Sequence, residues 1–133
     1  MSEIMNAVEA TQEIVNEVSP APQTFERFTA PEDLKARLDW GEPAFTIIDV
    51  RDRTQYNEQR IQGAIHYNPD ELVERVQQTL ELDRDIYIYA DDEGAASIAA
   101  AKLDEAGFEK VAVLEGGLNA WQAVSGVVEG HAA

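Results

Sequence analysis

Asp91-Asp92-Glu93 is a run of three carboxylates that directly follows the β-forming stretch Ile86-Tyr87-Ile88-Tyr89-Ala90. Carboxylates in such a place have several possible uses. They can grip a partner's Lys or Arg, ligate a hard cation, or supply an aspartyl nucleophile at Asp91. They can also cap the free N–H groups of a following helix and complement its dipole. The run lacks the spaced alternation and glycine hinge of a calcium loop, so no dedicated metal site is expected. A second group, Asp49 and Arg51, ends another β-forming run, where α/β folds place their ligands. His66, read with Asp49, is the only pairing that suggests general acid–base hydrolysis, and a structural histidine satisfied by its neighbours is the competing reading. No cysteine occurs anywhere in the chain, which removes disulfides, thiolate metal sites and thiol nucleophiles together. With His131 the only other histidine, a histidine-rich metal site is excluded as well. No cofactor is expected.

The elements that must position these residues alternate along the chain. Phe45–Val50 is a nearly continuous apolar run of the kind covered on both faces of a parallel sheet. A short polar helix follows at Thr54–Glu58, then a brief strand at Ala64–Tyr67. Asn68-Pro69-Asp70-Glu71 reads as a helix start with Asn at the N-cap, leading to Leu72, Val73, Val76 and Leu80. Ile86–Ala90 is the clearest strand; its alternation sets Tyr87 and Tyr89 on one face and Ile86, Ile88 and Ala90 on the other. An alanine-rich helix over Gly94–Ala106 ends at Gly107. Val111–Leu114 and a helix over Leu118–Val124, carrying Trp121, complete the pattern. Before these, Thr24–Phe28 reads as a strand, and Thr29-Ala30-Pro31-Glu32 opens a helix that buries Leu34 and Leu38. Strand–helix alternation predicts a mostly parallel five-stranded sheet with helices on both faces.

The 133 residues fit one domain, and 44% hydrophobic content is enough for a core. The expected division is 1–22 as an acidic amphipathic segment with a Pro-containing linker, 23–126 as the domain, and 127–133 as a tail. In the first segment Ile4, Val8, Val15 and Val18 share a helical face that docks, oligomerises or frays. No signal peptide or membrane span is apparent, so a cytoplasmic location is expected, and the alanine-rich acidic composition points to a bacterial one. Twenty-six acids against ten bases give a net charge of −16. That surface repels nucleic acid and anionic lipid; it favours solubility and basic protein partners.

Three stretches together resemble the rhodanese-like domain family: Ile48-Asp49-Val50-Arg51 with Tyr56 and Ile61-Gln62-Gly63-Ala64-Ile65; the strand Tyr87-Ile88-Tyr89; and Leu114-Glu115-Gly116-Gly117-Leu118-Asn119-Ala120-Trp121. The resemblance runs from about Phe25 to Gly126. Where the family commonly reads Gly-His-Ile-Pro-Gly-Ala, this chain has Gln59-Arg60-Ile61-Gln62-Gly63-Ala64, keeping only the Ile, Gly and Ala. Asp49, Arg51, Gly63, Gly116, Gly117 and Trp121 then read as structural motif residues.

The resemblance also implies where the family's nucleophilic cysteine stands. Ungapped counting places it at Ala90; a one-residue shift places it at Asp91. Neither is a thiol, and Ala95 or Ala96 replaces the family's arginine. Rhodanese chemistry stores sulfur as a cysteine persulfide, beside backbone N–H groups that hold an anion. Here three carboxylates repel such an anion, each like-charge pair costing on the order of 3 kcal/mol at 4–6 Å before screening. The expected function is therefore a non-catalytic, regulatory binding module that recognises a basic protein partner through the loop Asp91, Asp92, Glu93, Gly94, Ala95 and Ala96. The alternatives are a hydrolytic or metal-dependent enzyme using Asp91, Asp92 or Asp49, and a scaffold subunit for a catalytic rhodanese.

Overall fold

A computed structural model describes residues 27–40 and 44–130, with Trp40 described in its backbone alone. The amphipathic segment, the linker and the Trp40 side chain lie outside the described residues.

Five parallel strands form the central sheet: β1 (Phe28–Thr29), β2 (Phe45–Asp49), β4 (Ile65–His66), β5 (Asp85–Tyr89) and β6 (Lys110–Leu114). Their spatial order is β1-β6-β5-β2-β4, so the two long apolar runs β2 and β5 lie side by side at the centre. Their register pairs Ile48 with Ile88 and Asp49 with Tyr89. A separate antiparallel ribbon joins β3 (Arg60–Ile61) to β7 (Val128–Glu129). The segment read from sequence as a tail thus opens with a strand, too short to carry any hydrophobic period.

The expected alternation on β5 decides the two cores. Ile86, Ile88 and Ala90 face one layer with α3 (Leu72–Thr79) and α4 (Glu93–Glu105), through Leu72, Val76, Ala96, Ala99, Ala100 and Leu103. Tyr87 and Tyr89 face the other layer with Leu34 of α1 (Pro31–Trp40) and Trp121 of α5 (Gly117–Ala123). Three inward alanines give α4 a small-residue face against the sheet, which shortens the distance at which a helix can pack.

Local differences from the sequence reading have clear causes. Asn68 is not the N-cap of α3. Its side chain instead accepts the Asp70 N–H at 3.0 Å and its carbonyl accepts the Glu71 N–H at 2.9 Å, closing a turn before the helix. Such local side-chain bonds compete with capping, and Glu71 takes the N-cap position without a side-chain bond. Thr29 belongs to β1, and Pro31 is the first residue of α1. The short helix α2 (Arg53–Glu58) begins one residue early because Asp52 and Gln55 form a capping box. Among the described residues no helix is long and apolar enough to cross a membrane.

Candidate functional site

Strands β2, β5 and β6 end at one edge of the sheet, and the chain leaving each contributes to a single cleft of about 190 Å³. Arg51 comes from the segment after β2, Ala90 and Asp91 from the segment after β5, and Gly116, Leu118 and Asn119 from the segment after β6; Gln55 of α2 closes the side. Carboxyl ends of parallel strands are where such folds bind ligands.

Ala90 follows β5 directly and is buried. The three acids after it all hold backbone or side chains in place. Gln55 Nε2 donates to Asp91 Oδ1 at 2.8 Å. The Ala95 N–H donates to Asp92 Oδ1 at 2.8 Å, making Asp92 the N-cap of α4. The Gly116 N–H donates to Glu93 Oε2 at 2.9 Å. Capping was one expected use of these carboxylates, and Asp92 performs it. Residues 91–95 are exposed, whereas Ala96 is 1% exposed and packs in the core, because α4 has already begun and turns that side chain inward. Ala96 therefore cannot belong to a solvent-facing loop.

Asp49 and Arg51 form a buried unit beneath the cleft. The Asp49 side chain is fully buried, and that of Arg51 is 8% exposed. Arg51 donates from Nη2 to Asp49 Oδ2 at 2.7 Å, from Nε to both carboxylate oxygens at 3.1 Å, and from its own backbone N–H to Oδ1 at 2.8 Å. Nη2 also reaches the Gln59 carbonyl at 2.5 Å. The guanidinium lies 5.4 Å from the Tyr89 ring centre. Burial works against its charge, but the Asp49 hydrogen bonds and charge outweigh it, raising the Arg51 pKa from its ordinary value. Burial first, then the Asp49 charge and a hydrogen bond to it, push the Tyr89 hydroxyl far up. That hydroxyl accepts the Ile61 N–H at 3.1 Å and so anchors the β3 ribbon to the sheet.

His66 does not approach Asp49 as a catalytic partner. Its Nε2 lies 2.7 Å from the Arg51 carbonyl, which can only accept, and its Nδ1 lies 3.3 Å from Arg53 Nη1, which can only donate. Both ring nitrogens are used, in the Nε2–H tautomer. The motif residues place the turns: Gly63 has φ +85°, and Gly116 and Gly117 have φ +77° and +59°. A Cβ on Gly116 would stand 2.4 Å from that of Ala120, and one on Gly117 would stand 3.2 Å from the Ala90 carbonyl oxygen. The paired glycines therefore let the turn after β6 close over Ala90. Trp121 is buried in the core.

Sequence reasoning missed Gln55, Leu118 and Asn119. Gln55 carried a signal, its spacing of three from Asp52. Its Oε1 accepts the Asp52 N–H at 3.4 Å, which aims Nε2 at Asp91.

Residues 30–124 match the rhodanese-like domain family. The chain belongs to that family. It is similar to the thiosulfate sulfurtransferase GlpE of Shewanella oneidensis, 33% identical over 75 residues that cover 56% of this chain and 73% of that protein. It is also similar to the human centrosomal protein of 41 kDa, 37% identical over 83 residues, covering 56% of this chain but only 22% of that protein. Among solved structures, that of the Alr3790 protein from Anabaena sp. is 49% identical with a TM-score of 0.75, covering 77% of this chain and 91% of that one. In this rhodanese-like domain no side chain supplies a thiolate, because the chain has no cysteine.

Proposed function

We propose that this rhodanese-like domain is a non-catalytic regulatory module that binds a protein partner with a basic surface through residues 91–95. The observation that carries the reading is the end of β5, where the family resemblance places the nucleophile at Ala90 or, one residue on, at Asp91, in a chain without cysteine. Further support comes from the acids beside it. Asp91 and Glu93 each use one carboxylate oxygen within the chain, and among the described residues the other oxygen accepts no hydrogen bond. Two pre-positioned carboxylates at a cleft mouth suit the ammonium or guanidinium of a docking side chain. Asp49, by contrast, is sealed under Arg51 and offers no oxygen to a substrate.

The test is affinity capture from the native host with the immobilised full chain, in parallel with D91N/E93Q and with a chain starting at Gln23. A specific partner should be retained at low salt, released as salt rises, and lost from D91N/E93Q. Retention by D91N/E93Q but not by the shortened chain would shift the interface to the N-terminal segment. Thiocyanate formation from thiosulfate and cyanide by the purified chain would overturn the non-catalytic reading.

A further inference from the structure

A second cavity, of about 300 Å³, opens beyond the edge strand β4 between the starts of α2 and α3. It is lined by Arg53, His66, Tyr67, Asn68, Glu71 and Arg75. Two guanidinium groups thus line one small cavity in a chain of net charge −16, and the state of Arg53 makes them informative. Most of the chain's cations sit in ion pairs, such as Arg37 with Asp85 and Arg60 with Glu129. Arg53 has no carboxylate within 4.0 Å among the described residues. It is held instead by His66 Nδ1 at 3.3 Å and by the Tyr56 ring, 5.8 Å from its centre. Both partners fix its orientation and neither neutralises it.

The carboxylates nearby do not change that balance. Asp52, its neighbour in sequence, turns its carboxylate into α2, accepting the Gln55 N–H at 2.8 Å. Glu71 pairs with Arg75 at 3.3 Å, but both side chains are more than half exposed, and a one-turn pair of that kind is easily exchanged. The Asn68 side-chain oxygen is taken by the Asp70 N–H, which leaves its amide N–H groups to donate.

We infer that this cavity binds a phosphomonoester, its dianionic head between Arg53 and Arg75 and its organic part in the remaining volume. Planar guanidinium forks match phosphate oxygens, and a dianion there pairs with Arg53 and competes with Glu71 for Arg75. The cavity exceeds what a bare phosphate fills, so an ester is favoured over the free ion. The site is separate from the cleft at Ala90 and makes no use of residues 91–95.

The experiment follows backbone amide shifts of the full chain during titration with O-phosphoserine, inorganic phosphate, and sodium chloride at matched ionic strength. O-phosphoserine should give saturable shifts at His66, Tyr67 and Asn68, tighter than inorganic phosphate and absent with chloride. R53Q and R75Q should each weaken binding by about tenfold. Thermal melting of both variants checks that the fold is kept, and either one suffices if the other fails to fold. Shifts matched by chloride, shifts centred on residues 91–95, or full-strength binding in both variants would each overturn the assignment.

Discussion

The Glu93 carboxylate and the Gly116 amide stand 2.9 Å apart, so the loop leaving β5 is tied to the turn leaving β6 across the mouth of the cleft. Both groups are exposed, and water can replace either partner. Glu93→Ala should therefore cost only roughly 0.5–1 kcal/mol in urea unfolding, from the lost bond and the lost helix-dipole charge. Glu93→Gln keeps an acceptor oxygen and should recover part of that loss. Equal destabilisation by both variants would show that charge, not the bond, holds the loop.

Beneath the cleft the balance is different, because Asp49 and Arg51 are both out of water. Asp49→Ala leaves a buried guanidinium with only the Gln59 and Gln55 carbonyls, and should destabilise by about 3–5 kcal/mol. An Asp49→Leu, Arg51→Met double variant removes both charges and should be markedly more stable than Asp49→Ala alone. Equilibrium denaturation of the two variants checks the ordering. If they prove equally unstable, the pair matters for shape rather than for charge.

Much of this arrangement was legible in the residues, for reasons that differ by element. The period-two pattern of Ile86–Ala90 separates the two cores correctly because β5 is central and each face meets a full layer. Asp92 as a helix cap follows from local chemistry alone. The cleft was less legible, since the spacing of Gln55 from Asp52 marks a capping box but not the bond that Gln55 makes to Asp91, 36 positions away. Asn68 misled because the same side chain serves an N-cap or a turn, and Pro69 fits both. The ribbon of β3 and β7 has two residues per strand, too few for any periodicity to register.

Tyr89 makes the fold sensitive to alkali. Its pKa is raised far above the ordinary value near 10, so the unfolded chain releases this proton first. Its contribution is complete below pH 10 and declines above it, by about 1.4 kcal/mol per pH unit while only the unfolded form ionises. Tyr89→Phe should lower stability at neutral pH by about 1–2 kcal/mol, because the Ile61 N–H loses its acceptor. The same variant should show a shallower fall in stability between pH 10 and pH 11. Parallel alkaline limbs for the two proteins would remove Tyr89 as the source.

Gly126 packs against Trp121 so closely that a Cβ there would lie 2.1 Å from the indole Cε2. The indole cannot retreat easily, since Trp121 is 1% exposed and donates from Nε1 to the Val127 carbonyl at 2.9 Å. Gly126→Ala should therefore cost about 3 kcal/mol and alter the tryptophan near-ultraviolet circular dichroism. A native-like spectrum with an unchanged melting temperature would mean that the chain after α5 shifts freely.

Ala90→Cys asks whether the missing thiol is the only thing this site lacks. The introduced thiol would lie on the cleft beside Asp91, with Glu93 tied across the mouth at Gly116. Neighbouring carboxylates disfavour a thiolate, so its pKa should sit above the ordinary value of about 8.5 and disulfide exchange at pH 7 should be slow. Adding D91N and E93Q removes two charges while leaving the Asp92 cap in place, and should speed labelling by about tenfold. Ala90→Cys alone should form no measurable thiocyanate from thiosulfate and cyanide, because the incoming anion meets the same repulsion. Robust turnover by that single variant would show that the acidic loop tolerates an anionic substrate, and the proposed preference for cationic partners at residues 91–95 would have to be abandoned.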